Sequence, residues 1–502
     1  MAAGGFTQVR RGLGPRVGVA FALASAVTFA LAALPQRAAA AAAEASLSPP
    51  PPLPPAVALA LQRAQIPASA LSVMIEEAGS GRRVLAWNQQ QPVNPASLAK
   101  LITTYAALAR LGPAWRWRTP VWLTGDLKDG VLDGALVIRG SGDPTLVLER
   151  VWLLLRRVQQ LGVQEIRGDI VLDRSAFTVP ERDPGEFDGE PLRPYNTQPD
   201  ALLLNYKSVV YGFVPDVAAG RARVTRTPLL AGAARELSLP LAGGPCNDWR
   251  ASVKASFEPG AEARFAGAYP TACGEREWPV ADPQPATYNA RLIEGLWQQM
   301  GGRLTGRVRE GAAPLGQPPS FELSSPALAE VVRDINKFSN NVMAQQLFLT
   351  LAKAGTEDDP APATVAQARA GVMDWLTRHN GPLAADVVLD NGAGLSREAR
   401  LPVALLAHLL QQAWSSPVMP ELMASLPVSA LDGTLRRADM PAGRAHLKTG
   451  SLRDVTGLAG YVLSDSGRRY VLVAIVNHPN ARAARPALDA LTRWAADDAP
   501  AR

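Results

Sequence analysis

Two pairs of short, mostly apolar runs lie near the ends of the chain, and a turn separates the members of each pair. Towards the N-terminus, Leu71–Ile75 and Arg83–Trp87 flank a Gly-Ser-Gly turn. Towards the C-terminus, Leu458–Leu463 and Tyr470–Val476 flank a short polar turn. Runs of this kind, separated by turn residues, predict a β-hairpin at each end.

After the first hairpin, the apolar positions recur at the spacing of a helix. Asn94 and Pro95 stand where a helix cap and a first helical residue belong. The next apolar positions are spaced by three and four residues, which predicts a helix with one buried face. These positions are Leu98, Leu101, Ile102, Tyr105 and Leu108.

Helical spacing returns in the second half of the chain. The predicted helices are Tyr288–Gly301, a helix with Ser325 as cap and Pro326 in the first turn that runs to Lys337, Val342–Lys353, and Ala481–Ala495.

Residues 115–282, which lie between these parts, have a different sequence pattern. Short β-like runs, such as Leu136–Arg139 and Ala222–Thr225, alternate with turns rich in Gly, Pro and Asp. We therefore expect an α/β (α+β) protein in which 57–114 and 283–496 form one discontinuous domain. Residues 115–282 would be a β-rich insert of one or two subdomains.

The first residues are typical of a secretory leader. Three arginines precede the apolar run Val17–Leu34, which is followed by the alanine-rich stretch Ala38–Ala43. We expect residues 1–43 to be a signal peptide that is removed, and 44–56 to be a proline-rich linker. Retention of the leader as a membrane anchor is the alternative, because the apolar run approaches the shortest length that spans a bilayer.

Charge and cysteine content fit an exported protein. Four of the 51 basic residues and none of the 45 acidic residues lie in the leader, so the rest of the chain is close to neutral. The basic isoelectric point is therefore no argument for nucleic-acid binding. Two cysteines, Cys246 and Cys273, are present. In an oxidising compartment they predict a disulfide, with two buried free thiols as the alternative.

Lysine is rare in this chain: only seven of the 51 basic residues are Lys. Lys100 lies three residues after Ser97, so on a helix the amine and the hydroxyl share a face. A partly desolvated Lys can take the proton of a Ser hydroxyl, which is a poor nucleophile until it is activated. The backbone N–H of Ser97, in the first helical turn, is also placed to stabilise an oxyanion.

A second group, Ser339-Asn340-Asn341, falls where two predicted helices meet. A turn there can direct Ser339 and Asn341 into one cleft, where the hydroxyl relays a proton and the amide binds a substrate amide. A simple turn between helices with a capping Asn is the alternative.

The third group is Lys448-Thr449-Gly450-Ser451, before the C-terminal hairpin. It is expected on an edge strand, whose free N–H and C=O groups can pair with an extended substrate. Lys448 and Thr449 would bind a terminal carboxylate, Gly450 would let the substrate approach, and the N–H of Ser451 would be a second oxyanion donor. An ordinary strand start is the alternative.

The three groups in this order resemble the active-site motifs S-x-x-K, S-x-N and K-T-G of penicillin-binding proteins and serine β-lactamases. Further segments are similar to the class C low-molecular-mass penicillin-binding proteins, the D-Ala-D-Ala carboxypeptidase/endopeptidase family. These segments are Asn94–Leu108, Gly140–Pro144, Gly168–Ile170, Asp390–Ser396, Asp432–Leu435 and Lys448–Val462. The long interval between the first two motifs is also typical of this family, and Asn340 departs from its common Asp.

The resemblance implies a transpeptidase-like catalytic domain and a periplasmic hydrolase that remodels the cell wall. Ser97 would be the nucleophile, Lys100 its base and Ser339 a proton relay. The implied partners are peptidoglycan stem peptides and cross-links, with β-lactams as covalent inhibitors. It implies no metal or other cofactor. Peripheral membrane association, the oligomeric state, the role of the insert and the balance of carboxypeptidase and endopeptidase action stay open.

Three other functions are less well supported. A Ser-His-Asp hydrolase lacks a G-x-S-x-G elbow, and the four histidines have no familiar triad context. A β-lactamase would need a deacylating Glu, and no recognisable motif for one lies between Asn341 and Lys448. A wall-binding protein with a dead site is disfavoured because all three motifs are complete.

Overall fold

The computed structural model describes residues 52–233, 236–354 and 361–498. The helices, in chain order, are α1 (Pro55–Arg63), α2 (Ala99–Leu111), α3 (Leu148–Gln160), α4 (Trp249–Ser252), α5 (Pro285–Gln299), α6 (Leu328–Phe338), α7 (Asn341–Leu351), α8 (Val365–Asn380), α9 (Val403–Trp414), α10 (Met419–Ser425) and α11 (Arg485–Ala496). The strands are β1 (Leu71–Glu77), β2 (Arg83–Trp87), β3 (Arg118–Lys128), β4 (Val131–Arg139), β5 (Glu165–Ile166), β6 (Ile170–Asp173), β7 (Phe177–Thr178), β8 (Ser208–Asp216), β9 (Arg221–Thr227), β10 (Leu237–Ala242), β11 (Ala255–Ser256), β12 (Arg264–Phe265), β13 (Tyr269–Pro270), β14 (Arg276–Ala281), β15 (Arg303–Leu304), β16 (Val308–Glu310), β17 (Phe321–Ser324), β18 (Ala363–Thr364), β19 (Ala445–Ser451), β20 (Val455–Leu463) and β21 (Arg469–Asn477).

Both predicted hairpins belong to one antiparallel sheet, with strand order β19-β20-β21-β1-β2. Because side chains alternate along a strand, this sheet buries both of its faces. Val73 and Ile75 pack with α1 and α11, whereas Met74 packs with the group that contains α2 and α6–α9. In β21, Leu472 likewise packs with the α1 and α11 side, and Val473 packs with the opposite side. The sheet is therefore covered by helices on both sides, and β19 is left as an edge.

The insert contains two larger sheets. In one, β3 and β4 form a long antiparallel hairpin that β5, β6 and β15–β17 extend; in the other, the order is β13-β10-β9-β8-β14. The predicted disulfide is present and joins Cys246 to Cys273. Cys273 is buried in the hydrophobic cluster of the insert.

The return to the first domain, predicted at residue 283, differs from the structure. Helix α5 buries Tyr288, Leu292 and Trp297 in the cluster of the insert, and β15–β17 pair with its strands. The residues that rejoin the cluster of α2 begin with Leu328. Helical periodicity shows that a helix buries one face, but not which core receives that face, so the boundary was placed too early.

The end of the predicted linker and one predicted helix start also differ from the structure. Helix α1 begins at Pro55, inside the predicted linker 44–56, because Pro suits the first helical turn. Helix α6 begins at Leu328 after Ala327, so Ser325 is not its cap. The Ser325 hydroxyl instead accepts a hydrogen bond from the backbone N–H of Trp117 at 3.0 Å.

The predicted leader, residues 1–43, and residues 44–51 of the predicted linker lie outside the described residues. Among the helices that the structure describes, none combines the length and the apolar composition needed to cross a membrane.

Candidate active site

Ser97 lies in a short 3-10 turn, Ala96–Leu98, which leads into α2. The Asn94 side chain opens this turn, because its Oδ1 accepts a hydrogen bond from the N–H of Ala96 at 2.9 Å. Its Nδ2 donates to the carbonyl of Ser396 at 3.0 Å. The predicted helix start is therefore wrong in position, because the 3-10 turn follows Pro95, α2 follows Leu98, and Asn94 caps neither. Ala96 has a φ of +47°.

The amine of Lys100 meets the hydroxyl of Ser97, as the spacing predicts. Lys100 Nζ is 2.9 Å from Ser97 Oγ, 2.6 Å from Asn341 Oδ1 and 2.5 Å from the carbonyl oxygen of Ala393. The Lys100 side chain exposes 0% of its surface. Three oxygen atoms therefore surround an amine that has no access to water.

Burial lowers the pKa of Lys100 well below its usual value of 10.5, and the nearby charge of Lys448 lowers it further. A neutral amine has two N–H donors and one lone pair. The oxygens of Asn341 and Ala393 are acceptors only, so they take the two N–H groups. In that neutral form the lone pair would be left for the Ser97 hydroxyl, which is the arrangement that a general base requires.

The sequence reasoning noted the segment Asp390–Ser396 but gave no role to the loop that supplies the Ala393 carbonyl. Asn391 Oδ1 accepts a hydrogen bond from the N–H of Ala393 at 3.0 Å and shapes the loop. A Cβ on Gly394 would lie 1.8 Å from the carbonyl oxygen of Ala96, so only glycine allows this approach. The available signal was the Gly-Ala-Gly sequence within Asp390–Ser396, but a backbone carbonyl has no residue type to mark it.

The turn Ser339-Asn340-Asn341 does join two helices and does face the same cleft. Ser339 ends α6 in the left-handed conformation, with a φ of +57°. Asn340 caps α7, since its Oδ1 accepts a hydrogen bond from the N–H of Met343 at 3.1 Å. Asn and Asp are both good caps, so the departure at Asn340 leaves this role intact.

Lys448 is the second buried amine. Its Nζ donates hydrogen bonds to Ser339 Oγ at 2.8 Å and to the carbonyl of Thr449 at 2.9 Å. Burial lowers the pKa of Lys448 to about 7. The side chain exposes 0% of its surface, and its expected contact with a substrate carboxylate stays a prediction. Its contact with Ser339 places it beside the predicted proton relay.

Strand β19 has the predicted edge position. Ser451 is exposed at the end of this strand. Thr449 Oγ1 lies 2.8 Å from Thr434 Oγ1, and the sequence reasoning gave Thr434 no role in the site. Packing, and not only the approach of a substrate, explains why glycine occupies position 450. A Cβ there would lie 2.9 Å from the Pro95 carbonyl and 3.1 Å from the Leu98 side chain. Glycine therefore lets the strand pack against the Ser97 turn.

Part of each of the three motifs lines one cleft with a volume of about 1270 Å³. Ser97, Ser339, Asn341 and Ser451 lie along it. The insert supplies a wall of this cleft through Phe187, Asp188, Pro194, Tyr195, Asn205, Tyr206, Ser208, Val210 and Pro279. Because the space is far larger than a dipeptide, it has room for a long peptide. No histidine is among the described residues that line it, which disfavours a Ser-His-Asp site.

The family model described as "D-Ala-D-Ala carboxypeptidase 3 (S13) family" matches residues 54–498. The chain belongs to this family. As an S13 member it is a serine-type peptidase, and the resemblance to class C penicillin-binding proteins is confirmed.

Among curated S13-like relatives, D-alanyl-D-alanine carboxypeptidase DacB of Haemophilus influenzae is 24% identical over 400 residues, or 76% of this chain and 80% of the relative. The D-alanyl-D-alanine carboxypeptidase of an Actinomadura species is 27% identical over 452 residues, or 83% of this chain and 79% of the relative.

The fold of this S13 peptidase is also found in solved structures. Penicillin binding protein 4 from Haemophilus influenzae superposes with a TM-score of 0.69 at 20% identity, over 87% of this chain and 99% of the other. Its complex with a β-lactam gives a TM-score of 0.64 at 19% identity, over 84% and 96%. The predicted fold class, a transpeptidase-like domain with a β-rich insert, is confirmed.

Proposed function

We propose that this S13 peptidase cleaves the bond between two D-alanines of peptidoglycan stem peptides, and D-Ala to diaminopimelate cross-links, through an acyl-enzyme on Ser97. The observation that carries the proposal is the buried Lys100 amine at 2.9 Å from Ser97 Oγ. The names of the curated relatives, which are D-alanyl-D-alanine carboxypeptidases, support the choice of substrate.

In the acylation step, Ser97 Oγ attacks the scissile carbonyl carbon while its proton passes to the lone pair of Lys100. The new C–O bond leaves a negative charge on the carbonyl oxygen. The backbone N–H groups of Ser97 and Ser451, which both line the cleft, would stabilise this oxyanion. Collapse of the tetrahedral intermediate breaks the C–N bond and leaves an acyl-ester on Ser97.

The departing amine must gain a proton. Lys448 donates a hydrogen bond to Ser339 Oγ, so the hydroxyl can pass a proton to the amine and recover one from Lys448. A pKa of about 7 lets Lys448 hold that proton near neutral pH and release it readily. After the amine has left, water enters the cleft and carries the proton of Lys100 back to Lys448, so that Lys100 is neutral again. Lys100 then takes a proton from the water that attacks the ester and returns it to Ser97 Oγ as the ester C–O bond breaks and the second product leaves.

Substrate binding would use the exposed edge of β19. An extended peptide can add to this edge through backbone hydrogen bonds, with Thr449 and Ser451 beside it. For Asn341, the structure indicates which atom of the side-chain amide is available to the substrate. Its Oδ1 accepts the Lys100 amine, so its Nδ2 is the part of the amide that would donate to a substrate carbonyl.

Acylation should depend steeply on pH. Lys100 acts as a base only when neutral, so the acylation rate constant should be inversely proportional to proton concentration once the pH drops below the lowered pKa of this amine. The measurement is the rate of labelling by fluorescent penicillin across the acidic and neutral range, with circular dichroism at each pH as a control for folding. A rate that stays constant to the onset of acid unfolding would contradict this role of Lys100.

The test of the function itself is incubation of the mature protein with fluorescent penicillin and, separately, with cross-linked muropeptides. We expect a long-lived covalent adduct by intact mass, release of D-Ala, and cleavage of cross-links. An adduct that disappears as penicillin is consumed would indicate a β-lactamase. A folded protein that shows neither adduct nor turnover would indicate a wall-binding protein with an inactive site.

The same proposal gives the compartment and the partners. We infer that the protein works in the periplasm and is exported by its leader, because the substrate and the disulfide both belong outside the cytoplasm. β-Lactams are proposed as covalent inhibitors, and peripheral membrane association is part of the proposal. Detection of the processed N-terminus in a periplasmic extract would support cleavage of the leader, and a membrane-bound full-length chain would support the anchor.

A further inference from the structure

In the described part of the chain, the outer edge of strand β19 is paired at its start and open at its end. The N–H of Leu447 donates a hydrogen bond to the carbonyl of Pro427 at 2.9 Å. Alternate residues of a strand direct their backbone N–H and C=O groups to the same side, so Thr449 and Ser451 face this side too. The edge that a substrate can pair with therefore begins at Thr449.

This edge indicates the direction in which a substrate lies. Beyond Ser451 the cleft continues past Leu452, which lines it. In the other direction, Pro427 already occupies the edge. A stem peptide needs the longer part of the cleft, so the acyl part on Ser97 would extend towards Leu452. The residue that leaves would then lie beside Thr449.

A second hydroxyl lies beside that of Thr449. Thr434 Oγ1 is 2.8 Å from Thr449 Oγ1, and the Thr434 side chain is exposed. Each hydroxyl has one proton to donate, and the pair uses one of the two protons internally. When a carboxylate enters, both hydroxyls can turn and donate to its two oxygens. Hydrogen bonds to a charged acceptor are stronger than the neutral one that they replace.

Contacts with helix α6 hold Thr434 in this position. Lys337, in the last turn of α6, forms an ion pair with Asp432 at 2.6 Å between Nζ and Oδ2. Asp432 Oδ1 accepts a hydrogen bond from the N–H of Val428 at 2.7 Å. A Cβ on Gly433 would lie 2.5 Å from the carbonyl oxygen of Lys337, so the loop packs directly on the end of the helix. The ion pair also neutralises Asp432, whose charge would otherwise repel a carboxylate.

We propose that Thr434 and Thr449 together bind the carboxylate of the residue that leaves, with Thr434 as the second donor. The inference rests on the proposed function and deepens it. It favours a leaving group with a free carboxylate beside the amine, which is D-Ala or the D-centre of a diaminopimelate cross-link. The Lys448 amine donates to the carbonyl of Thr449 at 2.9 Å, so when protonated it adds positive charge near this site.

The test compares two substrates. A stem peptide that ends in D-Ala-D-Ala has the free carboxylate, and the same peptide with a terminal carboxamide has no charge there. Thr434→Val keeps the branched shape but removes the hydroxyl, and Thr434→Ser retains the hydroxyl. We expect Thr434→Val to lower kcat/KM about 10-fold for the acid, mainly through KM, and about 2-fold or less for the carboxamide. Thr434→Ser should stay within about 3-fold of the wild-type chain for both.

Thr305→Val is the matched control, because Thr305 is exposed and its hydroxyl donates one hydrogen bond, at 2.8 Å to the carbonyl of Arg167 in the insert. Thermal unfolding of each variant shows whether it is folded. Thr434→Ala, which also lacks the hydroxyl, should reproduce the result of Thr434→Val. Where turnover of the carboxamide is too slow to measure, its inhibition of labelling by fluorescent penicillin gives the same comparison.

A folded Thr434→Val variant with the wild-type kcat/KM for the acid would overturn the inference. Equal losses with the acid and the carboxamide would also overturn it, because Thr434 would then support the shape of the site and not the binding of the carboxylate. In both cases the wild-type chain still cleaves the peptide, so the proposed function stands. A folded wild-type chain that cleaves neither peptide would overturn the proposed function and this inference with it.

Discussion

Replacing Ser97 with alanine should abolish covalent labelling by penicillin and lower peptidase activity by at least about 10³-fold. The Ser97 hydroxyl is the only group that the mechanism uses to form the ester. It is also the hydroxyl that lies beside the Lys100 amine, at 2.9 Å from Nζ. Intact mass after incubation with fluorescent penicillin measures the first effect. Release of D-Ala from a stem peptide measures the second.

The variant should remain folded, because Ser97 is only partly buried and contributes one hydrogen bond. The change in the free energy of unfolding should be about 1 kcal/mol or less. Ser69→Ala is a suitable control, since Ser69 is exposed and precedes β1. A Ser97→Ala protein that still carries penicillin on the same peptide fragment would assign the nucleophile to another residue.

Replacing Lys100 with methionine should have the second largest effect. Methionine nearly matches the length of the side chain but has no lone pair of comparable basicity. We expect the acylation rate constant to fall about 10²- to 10⁴-fold, the usual contribution of a general base. The initial penicillin complex should form with a similar dissociation constant, since Lys100 is fully buried and is not expected to contact the ligand. Stopped-flow labelling separates the two quantities.

The change also removes the steep pH dependence of acylation. The residual rate of Lys100→Met should vary little where that of the wild-type chain falls. Lys128→Met is the matched control, because Lys128 is exposed on the β3–β4 hairpin. Lys100→Arg should be as slow as Lys100→Met, since a guanidinium stays charged and cannot accept the proton. A Lys100→Met variant with the wild-type rate and pH profile would require a different base.

Much of the fold could be predicted because its signals are local. Short apolar runs bounded by turn residues predict β1, β2, β20 and β21, because such runs are typical of strands that are buried on both faces. Helical spacing predicts α2, and S-x-x-K brings Ser97 and Lys100 together because a single helical turn does so in any context. The two cysteines predict their disulfide because there is no other partner to choose.

The errors share one cause, which is that local patterns do not identify distant neighbours. The amphipathic face of α5 is plain in the sequence, yet it packs in the insert rather than beside α6. Ser325 has the residue type of a cap, but a backbone N–H from Trp117 occupies its hydroxyl. Gly450 was expected to admit substrate, whereas the space beside it is taken by the turn before α2.

By itself, the sequence determined which side chains are available for the chemistry and which short segments present them: a Ser and a Lys on one helical turn, a Ser and an Asn between two helices, and a Lys on an edge strand. Only the tertiary structure decided how these side chains act on one another. It buried Lys100 and Lys448, which lowers the pKa of both amines, and it brought the Ala393 carbonyl to Lys100 and the Ser339 hydroxyl to Lys448 from distant parts of the chain. The physical reason is that desolvation and hydrogen bonding to backbone atoms depend on what surrounds a group in space, and neither is encoded at the residue that experiences it.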